Sequence, residues 1–330
     1  MENVLHCGDN LEVLSAHVVA ESVGLCYLDP PFFSQRDYYQ ARSLAFTDRW
    51  SWTADAANDY HAVTAYPDPG VTAQIVALLG GLHGALGEGP LLAYLVHLAR
   101  RIAAIWRVLD TTGTLYLHCD PTASHYLKLV CDSLFCPRGG ECRNEIVWSY
   151  ETGGRSGRDF AWKHDTILRY TKSKTWTFDA PAVLLPRTQT RRNHLKRGQD
   201  ADGRVYASIT SAGKIYRYYD DEGVIPSDVW TDVSHLHQRD PERTGYPTQK
   251  PLALLERLIR ASSREGDLVL DAYCGSGTTL VAAQRLGRRW VGIDRSQAAI
   301  DLTRSRLQPP VPSPDAPPAA PAATANPTPD

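Results

Sequence analysis

No apolar run in this 330-residue chain approaches the ~20 residues needed to span a bilayer. The opening stretch MENVLHCGDN lacks the basic start and apolar core of a secretory signal. A cytoplasmic protein with no membrane partner is therefore expected. No C-x-x-C pair occurs, and the seven cysteines, Cys7, Cys26, Cys119, Cys131, Cys136, Cys142 and Cys274, are odd in number. That pattern argues against a disulfide framework and against a zinc ribbon. Cys131, Cys136 and Cys142, with His118 and His125 nearby, fit no structural zinc spacing. Buried reduced thiols and no metal are expected. An excess of one charge is missing too: 35 Lys and Arg stand against 37 Asp and Glu, which excludes a uniformly basic nucleic-acid coat but leaves local patches open.

Such patches exist. Between Arg187 and Arg217 eight Lys or Arg face two Asp, and between Arg155 and Lys174 six face two. The charge is segregated along the chain, so the net value of −2 hides it. The length allows one large core, or a core with a modest second domain.

Apolar periodicity predicts a strand at 4–7, a helix beginning at Asn10 after Asp9, and a strand at 24–28 that runs into Asp29-Pro30-Pro31-Phe32. Consecutive prolines end ladder and helix alike, so a stiff loop at the carboxyl end of a strand is predicted. Ligands bind at that edge in open α/β sheets. Residues 45–90 give no clean period and read as a helical or irregular excursion. A helix over 91–108 follows, on which Arg100, Arg101 and Arg107 can share one face. A strand at 114–118, a helix at 124–134 and a strand at 145–148 come next, and this alternation predicts a doubly wound α/β sheet. From about 150 to 240 the pattern breaks, with a hairpin expected around Lys172-Ser173-Lys174. Regularity returns with a helix at 251–262, a strand at 267–271, a turn at Gly275-Ser276-Gly277, a helix at 278–286, a strand at 290–293 and a helix to about Leu307. Nine of the last 23 residues are proline and six are alanine, a composition expected to be disordered. Four segments result: a catalytic half at 1–150, an insert at 151–240, a cofactor-binding half at 241–307 and a tail at 308–330.

In LVLDAYCGSGTTL a strand, a glycine turn and a helix suit a nucleotide-like ligand. The P-loop pattern is absent, and Leu280 stands where a dinucleotide fingerprint has its third glycine. S-adenosylmethionine carries no phosphate and needs a carboxylate for its ammonium, for which Asp271 is placed. Asp294, ending the next strand, can bind ribose hydroxyls. In the other motif, the amino group of adenine or cytosine is a poor nucleophile because its lone pair is delocalised into the ring. Acceptors that hold the amino hydrogens restore lone-pair character, and Asp29 with the Pro30 carbonyl on a stiff loop can supply them. Phe32 can stack on a base taken out of the helix. Each motif alone also reads as packing: a glycine turn, or a Pro-Pro loop capping a strand.

Taken in order, the motifs resemble the β class of DNA amino-methyltransferases, in which the catalytic loop precedes the cofactor motif. The resemblance runs to about residue 307 and rests on Gly8-Asp9, YLDPPF, GTLYLHCD, RNEIVW, KHDTILRYTKS, YPTQKPLALLERLI, DAYCGSGTTL and VGIDRS. It implies a Rossmann-like, mostly parallel sheet with an inserted target-recognition region. It implies a catalytic loop of Asp29, Pro30, Pro31 and Phe32. It implies a cofactor site of Asp9, Asp29, Thr248, Gln249, Lys250, Asp271, Tyr273, Cys274, Gly275, Ser276, Gly277, Thr278, Thr279, Asp294 and Arg295. Ala272-Tyr273 replaces the family's usual Pro-Phe and keeps an aromatic wall, while Phe33 replaces a common asparagine. Asp at the first catalytic position goes mostly with adenine N6 in the family, and Ser more often with cytosine N4.

The insert places Arg187, Arg191, Arg192, Lys196, Arg197 and Arg204 where duplex DNA would lie, to neutralise phosphates or read guanine edges. A cognate restriction endonuclease and a homodimer, with an interface from residues 45–90, are further expectations of the resemblance. Other readings compete. Structured RNA suits the basic insert, and a DNA-binding regulator with a vestigial cofactor pocket would dispense with Asp29, Asp271 and Asp294. A protein-glutamine methyltransferase would carry Asn in place of Asp29, and a nicotinamide oxidoreductase would need the missing glycine.

Overall fold

The computed structural model describes residues 2–40, 43–65, 70–151, 157–186 and 195–308. Arg187, Arg191, Arg192 and the Pro/Ala tail beyond 308 lie outside these residues.

Strand β1 (Val4–Cys7) leads through Asp9 into α1 (Asn10–His17), where the Asp9 carboxylate accepts from Leu11 N and caps the helix. β2 (Val23–Leu28) is buried along its whole length. A short hairpin follows, β3 (Asp37–Gln40) with β4 (Ser43–Thr47), then α2 (Ala54–Thr64), α3 (Ala73–Leu86) and α4 (Pro90–Val108). α4 starts with proline at a position whose N–H would be unpaired in any case. β5 (Leu109–Cys119), α5 (Ser124–Phe135), β6 (Glu141–Ser149) and β7 (His164–Thr171) complete the first half. β8 (Lys196–Gln199), β9 (Val205–Ser211) and β10 (Lys214–Tyr219) form a separate antiparallel sheet, and β11 (Val229–Trp230) returns to the main one. The last elements are α6 (Leu252–Ser262), β12 (Leu268–Asp271), α7 (Thr278–Arg285), β13 (Arg289–Asp294) and α8 (Gln297–Leu307).

The central sheet has the order β1-β13-β12-β2-β5-β7-β6-β11. Its first five strands run parallel, and β7 is antiparallel to both neighbours. Period-2 alternation sends Cys26 and Leu28 into a core with α1, α4 and α5, and Leu25 and Tyr27 into a second core with α6 and α7. Both faces are therefore covered, as a buried parallel sheet requires. This is a Rossmann-like, doubly wound fold. Among the described residues no helix is long and apolar enough to cross a membrane.

Three expectations need correction. The hairpin around Lys172-Ser173-Lys174 does not form: residues 175–178 are not a strand, and β7 pairs instead with β5 and β6, which satisfy its backbone on both sides. Arg100, Arg101 and Arg107 do not share a face. Arg101 and Arg107 turn to α1 and its ends, bonding Asn10, Asp9, Leu14 and Val18, whereas Arg100 pairs with Asp59 on α2. Residues 45–90 hold α2 and α3, as the helical reading expects, with the end of an unforeseen strand, β4, and Trp50, Trp52 and Tyr60 are spent within the chain. Trp50 packs on Tyr94 and His97, and Trp52 and Tyr60 on each other and His83. Of the expected 151–240 insert, β7 and β11 are strands of the central sheet, while β8 to β10 stand outside it.

Candidate active site

The sheet order puts the carboxyl ends of β13, β12 and β2 side by side. Register then sets the depth: Asp271 lies opposite Tyr27 and Gly292, so Asp29 and Asp294 sit two residues beyond it on either side. The three carboxylates line one cavity of about 1100 Å³ together with Pro30, Pro31 and Phe32. Of the residues proposed for the cofactor, Asp9, Thr248, Gln249, Lys250, Tyr273, Cys274, Gly275, Ser276, Thr278, Thr279 and Arg295 line the same space. Gly277 does not. It lies behind the turn with φ +76°, where an added Cβ would come within 2.5 Å of Thr303 on α8. Glycine is required there by packing as well as by backbone sign.

Burial raises the Asp271 carboxyl to about 7, with Asp29 and Asp294 adding repulsion against its hydrogen bonds from Thr279 and Tyr273 N. Burial also raises Asp294, whose oxygens accept from Gly275 N (2.9 Å) and Ser296 N (2.8 Å). Asp9 behaves differently: burial would raise it, but the Arg101 guanidinium at 2.8 Å holds it below its ordinary value. Asp29 accepts from Lys250 Nζ at 2.7 Å, and that ammonium lies 5.1 Å from the centre of the Phe32 ring. Eight Asp or Glu against five Lys or Arg line the cavity, an excess of acidic groups in a partly desolvated space that suits a cationic ligand. Gly275 lets the chain pass within 3.1 Å of the Tyr246 ring at the position a Cβ would take. Such a cradle, walled by Tyr246 and Tyr273 and lined by Asp271 and Asp294, fits the chemistry and bulk of S-adenosylmethionine.

Behind Phe32 runs a buried polar chain. Tyr27 OH and His118 Nδ1 are 2.8 Å apart, His118 Nε2 and Asp165 Oδ2 3.0 Å, and Tyr150 OH donates to Asp165 Oδ1 at 2.9 Å. The His118 ring lies 5.7 Å from the Phe32 ring, so β5 and β7 fix the back of the Asp29–Phe32 loop. Trp50 Nε1 donates to the Phe32 carbonyl at 3.1 Å and fixes its front. Gln249 is a staple: its Oε1 accepts from Thr244 N and Oγ1, and its Nε2 donates to the Glu242 carbonyl. Thr248 beside it holds φ +60°, an uncommon conformation for a β-branched residue and one that clusters at functional sites.

Sequence reasoning missed His97, Arg101 and Tyr246. His97 Nε2 meets Tyr273 OH at 3.0 Å, and burial lowers that imidazole to about 3, so it stays neutral. Arg101 joins Asp9 and Asn10 from 91 residues away; no local signal predicts that pair. Tyr246 was available inside YPTQKP and stacks on Phe46, which stacks on Tyr38. Among the basic residues proposed for DNA, Arg197 pairs with Asp220, and Arg204 with Asp221 and Glu222. Lys196 is exposed at the start of β8.

A family model described as "DNA methylase" (N6_N4_Mtase) matches residues 23–305. The type II methyltransferase M.HpaI of Haemophilus parainfluenzae is 32% identical over 203 residues, 61% of this chain and 55% of that protein. The DNA adenine methyltransferase YhdJ of Escherichia coli K12 is 31% identical over 208 residues, 62% and 64% of the two chains. The chain thus spans little more than half the length of the curated relatives it matches. Among solved structures, the PvuII DNA methyltransferase (cytosine-N4-specific) aligns with a TM-score of 0.58 at 14% identity, covering 95% of this chain and 89% of that one. The protein TTHA0409 of Thermus thermophilus, solved complexed with S-adenosyl-L-methionine, aligns with a TM-score of 0.51 at 22% identity over 92% of each chain. Both share the fold.

Proposed function

This chain belongs to the DNA methylase family, and we propose that it transfers a methyl group from S-adenosylmethionine to an exocyclic amino group in duplex DNA, with adenine N6 as the target. One observation carries the reading: Asp29, Asp271 and Asp294 converge from three adjacent strand ends on one cavity, with Phe32 next to the first. S-adenosylmethionine, when bound, supplies an electrophilic methyl on a cationic sulfur. Asp271 holds its ammonium, Asp294 its ribose, and Tyr273 and Tyr246 flank it. Asp29 and the Pro30 carbonyl accept the two amino hydrogens of the base, so the nitrogen lone pair, as it leaves the ring's conjugation, would take the methyl while its bond to sulfur breaks to leave a neutral thioether, and the surplus amino proton would pass to Asp29. Phe32 stacks on the base, its ring held by His118 from behind. Lys250 holds Asp29 in a charge-assisted hydrogen bond until the base takes its place.

Adenine rather than cytosine rests on Asp29 through the family pattern, since the acceptor pair serves either amino group. Duplex DNA is the partner, and the basic stretch of the insert contacts its phosphates. Arg187, Arg191, Arg192 and Lys196 supply the main charge, and Arg197 and Arg204 exchange carboxylate for phosphate on binding. A restriction endonuclease as companion and a homodimer belong to the same reading. The test is to digest the DNA of a host expressing the protein to nucleosides and measure them by mass spectrometry. A rise in N6-methyladenine over a host carrying an empty vector is expected. N4-methylcytosine alone would correct the base, and neither would contradict the activity.

A further inference from the structure

β7 enters the central sheet at His164, and residues 157–163 reach it across the same edge of the sheet that carries the catalytic loop. The register establishes this. Thr166 of β7 lies opposite Cys119 at the end of β5, and Leu117 of β5 pairs with Leu28 of β2, directly before Asp29. Side chains close the distance: Asp165 bonds His118, whose ring lies against Phe32. The stem of the segment is pinned, since Tyr150 N donates to the Lys163 carbonyl at 2.9 Å. On this segment Phe160 is 99% exposed and Trp162 69%, the two highest values among the exposed large hydrophobic side chains described. Arg158 and Lys163 bracket them, with Asp159 next to Phe160.

Two bare aromatic rings on a fixed stem, between cations and beside the catalytic loop, suit a partner that is anionic and offers flat apolar surfaces. Duplex DNA has both properties. Taking a base out of the helix leaves its two stacking neighbours uncovered, and inserted apolar side chains recover such stacking without regard to sequence. We propose that Phe160 and Trp162 form a wedge that enters the gap left in the duplex when the target base swings into the cavity. The proposal rests on the reading of this chain as a DNA methyltransferase. The catalytic loop holds the extrahelical base, and the wedge keeps the duplex from closing behind it. Both rings stand clear of the protein's own core, so replacing them leaves the fold intact.

The test uses the full chain. The methylated site is first mapped by sequencing the DNA of an expressing host. Two synthetic duplexes carrying that site are then compared: one fully paired, and one with an abasic position opposite the target base, which lowers the cost of extrusion. For F160A/W162A, kcat/KM on the paired duplex is expected to fall about tenfold or more, the scale of a lost base–aromatic stack. On the abasic duplex the loss should shrink to about threefold or less, and F160W/W162F should retain activity on both. Equal losses on the two duplexes, or no loss on either, would overturn the wedge. So would a change from dimer to monomer in light scattering caused by F160A/W162A, because the rings would then cover a second copy. Absence of any methylated base in the host would overturn the methyltransferase reading and the wedge with it. A methylated site to which both variants are indifferent would overturn the wedge alone.

Discussion

Asp271 is the residue on which the chemistry of the cofactor site depends most sharply. Its carboxyl is raised to about 7 in the folded protein by burial, against 3.8 in an unfolded chain. The sign follows from proton binding: between those two values the folded state holds a proton that the unfolded state has released. The stability this group contributes is therefore complete below pH 4 and is lost as pH rises through 7, a change on the order of 4 kcal/mol. A cationic ammonium needs the ionised carboxylate. Binding of S-adenosylmethionine at pH 6 should therefore release close to one proton, and affinity should rise about tenfold per pH unit until it levels near pH 7. Titration calorimetry in two buffers of different ionisation enthalpy measures the proton directly. No release at pH 6 would remove Asp271 from the ammonium site. At this scale the sequence was informative wherever chemistry sits in a local motif: Asp29, Asp271 and Asp294 each end a strand that patterning alone places. It was silent about His97 and Arg101, whose partners lie 176 and 91 residues away.

Elements reproduced well where their period is strong and their ends carry turn chemistry. β2, α6 and the strand–turn–helix around Gly275 needed only apolar spacing, proline and glycine. β3 and β4 escaped because they form a two-stranded hairpin outside the central sheet, with the described side chains half-buried or exposed, so no apolar face marks them. The expected hairpin after Tyr170 failed because β7 finds better partners in β5 and β6 than in the polar residues that follow it. Gly277 exposes the coupling between elements: α8 packs so closely on the glycine turn that Thr303 occupies the space of a missing Cβ and donates to the Gly275 carbonyl at 2.9 Å. Gly277→Ala should cost about 2 kcal/mol or more from the positive φ and the displaced helix, lowering the thermal midpoint and weakening S-adenosylmethionine binding together. Unchanged values for both would show that α8 does not hold the turn.

For the molecule as a whole, the strand order brings two halves that are distant in sequence to one edge. β2 leads into Asp29, and β12 and β13 arrive about 240 residues later to complete the cavity. Alternation of strand and helix announced a doubly wound sheet, but neighbour relations between β2 and β12 are decided by long-range packing that no window of sequence records. The insert is the least legible part, because β7 and β11 join the central sheet while β8 to β10 stand outside it, and its basic residues Arg197 and Arg204 have acidic neighbours. Amino-group methylation of a DNA base at Asp29 is tested with purified protein, methyl-labelled S-adenosylmethionine and duplex DNA, followed by nucleoside analysis. Wild-type protein should place label in N6-methyladenine, and Asp29→Ala should lower the rate about 10³-fold while S-adenosylmethionine binding stays nearly unchanged. Turnover by Asp29→Ala at the wild-type rate, or no label in DNA with the wild-type protein, would contradict it.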